Sequence, residues 1–248
     1  MNRKNTEFKE TPPYSEFAEI YDSVMNHVNF RAWSRFILDA VSPPYPRNIL
    51  DLACGTGLLL KFFPAEAAKT GVDISSEMLK IAGANCPEAV LIQSDIRTFR
   101  PSERYDLITC THDSLNYFKN EHELENHFIL IRKMLSRGGV YFFDISSEYN
   151  LSENFHKKTI RHSEGNTFLE WENEYDPVRT QIISTLNFTK LTASGVEKKS
   201  EIHVQNFFSE KTVESALMKA GLFVKRKGSD FKTWTMEKKA SLINYIAV

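Results

Sequence analysis

The sequence predicts an α/β fold in which a mostly parallel sheet is covered on both faces by helices and an antiparallel β layer is inserted late in the chain. Three observations carry this expectation. Strand-like and helix-like stretches alternate from Asn48 to Ser147, period-two alternation takes over within residues 167–208, and the strand and helix rhythm resumes at Ser209. With 248 residues and 42% hydrophobic content, the chain can bury the core of one such domain with an insertion, which fits better than two independent domains.

The first elements are helical. Phe17, Ile20, Tyr21 and Val24 recur at the spacing of one helix face, and Trp33, Phe36, Ile37 and Ala40 repeat it before Ser42-Pro43-Pro44, where proline stops the helix. NILDLA is the first strand, a leucine-rich helix follows to about Ala68, and TGVDI is the second strand. Ser75 or Ser76 caps a helix to about Asn85, with Glu77 at its positive end and Pro87 just beyond it. AVLIQSDI and RYDLITCT read as the third and fourth strands. Leu124, Phe128, Ile131 and Leu135 mark a further helix closed by Gly138-Gly139, and VYFFDIS is the fifth strand.

Leu169, Trp171 and Tyr175 then alternate with Glu170, Glu172, Glu174 and Asp176, the mark of a half-exposed strand. IISTLNFTKL and EIHVQNFF complete an antiparallel meander with TFLEWENEY, with Thr192–Gly195 as one turn. Ser209 caps a helix carrying Val213, Ala216, Leu217 and Ala220, Gly221 ends it, and LFVKRKG and SLINYIAV are closing strands. The expected organisation is a disordered tail over 1–13, an α/β domain over 14–147 and 209–248, and an inserted antiparallel cap over 148–208.

Bulk properties narrow the function classes. A net charge of −1 and a pI near 6.7 provide no basic field for nucleic acid or an anionic membrane. Residues 150–208 hold seven Lys plus Arg against eight Asp plus Glu, so the insertion is not a basic surface either. Lys225-Arg226-Lys227 reads as a solvated strand end. Cys54, Cys86 and Cys110 share no metal-ligand spacing and cannot all pair, which suits a reducing cytosol. The polar N-terminus lacks an apolar signal segment, and no apolar run approaches the roughly 20 residues of a membrane helix, so a soluble, cytoplasmic chain is expected.

In an open parallel sheet, ligands sit outside the carboxyl ends of the strands, where chain order reverses. Four loops there stand out. Asp51-Leu52-Ala53-Cys54-Gly55-Thr56-Gly57 follows the first strand; its glycines let backbone approach a ligand, although a GTG alone is also a plain tight turn. Asp73 ends the second strand, where a carboxylate accepts both hydroxyls of a ribose or else caps the next helix. Gln93-Ser94-Asp95-Ile96 offers an acid and an apolar neighbour for an adenine edge and face, with a turn role for Asp95 the alternative. Together, three such loops in register indicate a nucleoside-containing cofactor. A dinucleotide fingerprint needs a third glycine where this chain has Leu60, and no basic residue lies between Asp51 and Leu60 to meet a pyrophosphate.

The motifs LDLACGTG, GVDISSEMLKIA, SDI, YDLITC with LNYF, and LIRKMLSRGGVYFFDI resemble the class I S-adenosylmethionine-dependent methyltransferases over roughly Tyr14 to Ile145. EFAEIYDSVM and HDSLNYF resemble more narrowly the small-molecule members, among them amino-sugar N-methyltransferases. The resemblance implies a Rossmann-like seven-stranded sheet whose last strand is antiparallel. It also implies S-adenosyl-L-methionine as cofactor and methyl transfer to a small-molecule acceptor without a metal.

Laid on matching residues, it implies that Asp51, Ala53, Cys54, Gly55 and Gly57 order and line the methionine part. Asp73 would take the ribose, Ile74, Met78 and Ile96 would flank the adenine, and Asp95, beside Ser94, would accept from its amine. Tyr21, Tyr14 and Trp33 would close the cofactor from the N-terminal helices, with Thr111 at the end of the fourth strand. Ala53 departs from the glycine common in the family.

The loop Thr111-His112-Asp113-Ser114-Leu115-Asn116-Tyr117 is where the family's acceptor meets the methyl group, so Asn116 and Tyr117 are pocket candidates. His112 is the best base by intrinsic pKa, unless the loop is merely a helix start with His112 exposed. Trp171, Tyr175 and His203 on the insertion wall a substrate pocket or serve as packing. The loop lacks the Asp-x-x-Pro-Pro-Tyr/Phe signature of nucleobase and glutamine methylation. Two other readings stand beside this one, a cofactor-binding protein without turnover and an NAD(P)-dependent oxidoreductase.

Overall fold

The structure, a computed structural model, describes residues 8–41 and 45–248. It opens with a short strand, β1 (Lys9–Glu10), and two helices, α1 (Phe17–Val24) and α2 (Phe30–Ala40), whose apolar stripes bury Phe17, Ile20, Ile37 and Ala40. Asn29 caps α2 by accepting the Ala32 N–H, and the proline stop at residues 42–44 lies outside the described residues. The expected disordered tail is corrected from residue 9 onward. Lys9 and Glu10 pair in parallel with Lys199 and Ser200, a contact nearly the whole chain away that local composition cannot reveal. Residues 1–7 of that tail also lie outside the described residues.

The alternating stretch forms β2 (Asn48–Leu52), β3 (Ala68–Asp73), α3 (Ser76–Asn85), β4 (Val90–Gln93), β5 (Tyr105–Cys110), α4 (Glu121–Met134) and β6 (Leu135–Ser146). Ser75 caps α3 by accepting the Met78 N–H at 3.2 Å. The leucine-rich helix expected up to Ala68 does not form. Residues 55–59 are turns, Leu60–Phe62 is a single 3₁₀ turn, and Phe63 is extended at ψ 158°. Pro64 is the reason, because it pushes the preceding residue out of the helical region. Leu59 and Leu60 are nevertheless buried, so the apolar run encodes burial without encoding a helix.

The insertion forms β7 (Thr159–Glu164), β8 (Thr167–Asp176), β9 (Gln181–Thr192) and β10 (Gly195–Asn206), an antiparallel sheet joined at its β10 edge by β1. The sequence reading lacked β7. Gly165, in the left-handed region at φ 55°, and Asn166 form the two-residue turn that joins it to β8, and that pair was its visible signal. The chain then closes with α5 (Glu210–Lys219), β11 (Val224–Ser229) and β12 (Leu242–Ala247). Ser209 caps α5 by accepting the Thr212 N–H at 3.1 Å.

The larger sheet has seven strands in the order β11-β12-β6-β5-β2-β3-β4. β12, the last strand, runs antiparallel to both β6 and β11, and β2 through β6 are parallel to their neighbours. Leu50, Val72, Ile108 and Phe128 fill one face, and Ile37, Ile49, Leu60 and Phe142 fill the other. From β2 the chain proceeds outward through β3 and β4, then returns to lay β5 on its other side. The carboxyl ends of β2 and β5 therefore flank a topological switch point, where an open sheet leaves a crevice.

Candidate active site

A cavity of about 580 Å³ lies outside those carboxyl ends. Its floor is the turn after β2. Ala53, Gly55 and Gly57 take φ values of 54°, 54° and 77°, a left-handed path that curls the backbone around the cavity. Asp51, Ala53, Cys54 and Gly55 line the cavity, as expected. Gly57 does not; a Cβ there would meet the Ala82 Cβ at 3.3 Å, so this glycine serves the close approach of α3. Leu60 occupies the dinucleotide fingerprint's third-glycine position and packs toward Gly71, where a Cβ would come within 3.2 Å of its Cδ2.

Asp73 at the end of β3 lines the cavity and is held by two backbone donors: Gly55 N–H to Oδ2 at 2.8 Å and Ser75 N–H to Oδ1 at 2.9 Å. Each carboxylate oxygen keeps a second lone pair, the requirement for gripping a ribose diol. Burial raises its pKa, and the backbone N–H bonds oppose that shift. Asp51 accepts the Thr109 hydroxyl at 2.7 Å and is pushed up to about 7 by burial. A cationic ammonium beside it would favour the carboxylate form again. Thr56, also in the lining, leaves its buried Oγ1 without a hydrogen-bond partner. An orphaned hydroxyl beside a left-handed backbone turn, with two carboxylates around it, fits the amino-acid and ribose parts of S-adenosylmethionine.

Ile74, Met78 and Ile96 line the opposite end with apolar atoms, as an adenine requires. Asp95 is there too, but Arg97 holds its carboxylate through Nε at 3.0 and 2.9 Å, and the Arg97 N–H also donates to it. Arg97 was absent from the sequence reading, although an arginine two residues after an acid was its available signal. Ser94 is not in the lining; its N–H continues the strand ladder to the Asp73 carbonyl.

Thr111 and His112 enter from the end of β5. His112 and Asp113 are both left-handed, at φ 60° and 50°, a strained pair for residues with side chains. Asp144, fully buried on β6, holds them by accepting the His112 N–H at 2.8 Å and the Asp113 N–H at 2.6 Å. Burial pushes Asp144 up to about 8 and Asp113 to about 6, and Ser146 donates to the Asp113 carboxylate at 2.9 Å. The His112 Nδ1 lies 3.0 Å from the Tyr21 hydroxyl, with Trp33 edge-on at 5.5 Å. Burial drives its pKa down to about 4, so it is neutral near pH 7 and a poor proton acceptor. Among the described residues, no carboxylate hydrogen-bonds the ring to support its charge.

The roof comes from the N-terminal segment, which the insertion holds from behind. Tyr14 and Tyr21 line the cavity, joined by Pro12, Pro13 and Phe30, which sequence reasoning missed. Tyr14 has φ 62° and is pinned on both sides: Ser75 Oγ donates to its carbonyl at 2.9 Å, and its N–H donates to Glu201 at 2.8 Å. Glu201, with no exposed surface, also accepts the N–H groups of Glu16 and Phe17 at 2.6 and 3.0 Å.

Besides Gly57 and Ser94, five predicted residues stand away from the lining, held by other contacts. Trp33 stacks on Phe231 at 3.7 Å between ring centroids, so it supports His112 from behind. Asn116 is buried, receiving the Ser146 N–H and donating to the Asn206 carbonyl. Trp171 packs against Phe17 and Phe155, and the Tyr175 N–H donates to His156. His203 sits one bond behind the wall, 2.8 Å from the hydroxyl of Tyr117, which does line the cavity.

A family model described as a methyltransferase domain matches residues 49–139. The chain is 28% identical to the Saccharopolyspora spinosa dTDP-4-amino-2,3,4,6-tetradeoxy-D-glucose N,N-dimethyltransferase, over 90% of its own length and 92% of the relative's. Its structure resembles the crystal structure of an S-adenosylmethionine-dependent methyltransferase from Clostridium acetobutylicum with a TM-score of 0.81, at 28% identity, covering 94% of this chain and 98% of the other. The fold is shared with an amino pentose methyltransferase from Micromonospora echinaspora solved with S-adenosylmethionine bound, at TM-score 0.71 and 18% identity, over 92% and 95% of the two chains.

Proposed function

We propose that this chain, a class I S-adenosylmethionine-dependent methyltransferase, passes a methyl group to a small-molecule acceptor held between the His112 loop, Tyr117 and the Tyr14 segment. The observation that carries this reading is the meeting of the Asp51, Asp73 and Asp95 strand ends on one cavity, with the roof segment closing its far side. When bound, S-adenosylmethionine supplies an electrophilic methyl on a sulfonium that leaves as a neutral thioether.

In this reading Asp73 grips the ribose, and Asp51 with the Ala53–Gly55 turn faces the amino-acid end. Ile74, Met78 and Ile96 sandwich the adenine. Asp95 meets its amine edge with Arg97 neutralising the carboxylate. The chain's own contribution to transfer is alignment and exclusion of water, because an in-line displacement depends mainly on placing the nucleophile. Asp144 sets the His112–Asp113 backbone, and neutral His112 with Tyr21 shapes the transfer point. The near-neutral surface of the insertion supports a small molecule as acceptor, as opposed to nucleic acid or a membrane lipid. The three buried, free cysteines support a reducing, cytoplasmic setting.

Isothermal calorimetry tests the reading. S-adenosylmethionine and its demethylated product S-adenosylhomocysteine are expected to bind, and NAD is not. Asp73→Ala should weaken S-adenosylhomocysteine about 100-fold, through the loss of two hydrogen bonds to a charged group. Tight NAD binding without S-adenosylhomocysteine binding overturns the reading.

A further inference from the structure

Four side chains form a continuous chain behind and into the cavity. The Tyr14 hydroxyl is 2.8 Å from the Tyr117 hydroxyl, which is 2.8 Å from His203 Nδ1, and His203 Nε2 is 3.0 Å from Glu201 Oε2. They come from the N-terminal segment, the loop after β5 and strand β10, and nothing in the methyl-transfer reading uses them together.

With His203 taken as the neutral imidazole, the chain has one direction. Glu201 already receives three backbone N–H groups, so it acts as an acceptor and His203 Nε2 carries the hydrogen. His203 Nδ1 then has only a lone pair, and Tyr117 must donate to it. Tyr117 has spent its hydrogen and accepts from Tyr14. Tyr14, a lining residue, has in turn spent its own hydrogen on Tyr117, so its oxygen keeps lone pairs and no proton to give.

We propose that this Glu201–His203–Tyr117–Tyr14 chain makes the Tyr14 hydroxyl an obligate hydrogen-bond acceptor at the transfer point, selecting acceptors whose attacking atom carries a hydrogen and rejecting carboxylate and phosphate oxygens. The surroundings agree with that choice. Among the described residues lining the cavity the one cation near the strand ends, Arg97, is committed to Asp95, so no free positive charge is available for an anionic nucleophile. The inference rests on the methyltransferase reading and deepens it.

Sinefungin, an analogue that carries an ammonium where S-adenosylmethionine carries its methyl, tests the proposal without knowledge of the acceptor. The readout is the ratio of sinefungin to S-adenosylhomocysteine affinity by calorimetry. A ratio of about tenfold or more is expected, the effect of one hydrogen bond from a charged donor. Tyr14→Phe and Tyr117→Phe should each bring the ratio close to one. His203→Ala should do the same, and His203→Gln should restore it, because the amide oxygen accepts from Tyr117 while the amide N–H₂ donates to Glu201. A purely structural role for these residues would weaken both ligands together and leave the ratio intact, which overturns the proposal. So does a wild-type ratio near one, whereas failure of S-adenosylhomocysteine to bind at all overturns the cofactor reading itself.

Discussion

The floor of the cavity is tied together over short spans of the chain, and the roof over long ones. On the floor, Asp73 is fixed by the N–H groups of Gly55 and Ser75, both within 18 residues of it, and Asp144 is held by two consecutive N–H groups. In the roof, Glu201 binds the segment around Tyr14 across a separation of 187 residues, and His203 reaches Tyr117 across 86. The floor's backbone donors lie in the turns that follow β2, β3 and β5. The roof contacts run to β10 and so exist only while the insertion is docked.

The sharpest way to break that contrast is Glu201→Ala. It strips the partner from three backbone N–H groups and from His203, and should cost about 3 kcal/mol of stability in denaturant melts. Limited proteolysis should then cut within residues 8–16 while the larger sheet stays intact. If cleavage instead spreads evenly through the chain, roof and floor are one cooperative unit.

A middle-sized effect concerns pH. Burial raises Asp51 to about 7 and Asp144 to about 8, so the folded chain keeps protons that the unfolded chain has lost. That stabilisation is complete below about pH 4, the usual carboxylate value, and disappears as pH rises through 7 and 8. His112 and His127, pushed down to about 4 and 3, act oppositely and cost stability as pH falls below about 6.5. The two pairs offset each other between about pH 4 and 6.5, where Asp113, raised to about 6, adds a gentle decline, so the melting temperature should fall most clearly from about pH 6.5 to 8. Asp51→Asn, which still accepts from Thr109, should flatten the decline; an unchanged slope would remove Asp51 from the account.

The smallest effect belongs to Arg97→Ala. The Arg97–Asp95 pair is part-exposed, at 38% and 26% of side-chain surface, so thermal stability should change by less than about 1 kcal/mol. S-adenosylhomocysteine affinity should shift by only a few-fold. A large loss would mean that Arg97 itself contacts the ligand.

The same division explains what could be read in advance. Asp51, Asp73 and Asp95 stood out because a parallel sheet puts the carboxyl ends of its strands on one rim, so strand order alone brings them together. The residues 58–68 were misread as a helix because burial and helicity leave the same leucine run, and Pro64 outweighs it. The resemblance placed Trp33 on the cofactor, because its partner Phe231, almost 200 positions later, could not be read from the sequence. Glu201 looked like one more surface acid on an alternating strand, and only the packed structure makes it the anchor of the roof.

The reach from Tyr14 to Glu201 also sets an order of assembly. As the polypeptide leaves the ribosome, the strands that form the floor are complete long before residue 201 is made, and the opening segment must wait, untethered, for nearly two hundred residues of synthesis. Closing so long a loop carries a large entropic cost that only the finished insertion can offset. The nascent chain thus completes the crevice at the strand ends first and the closed chamber last.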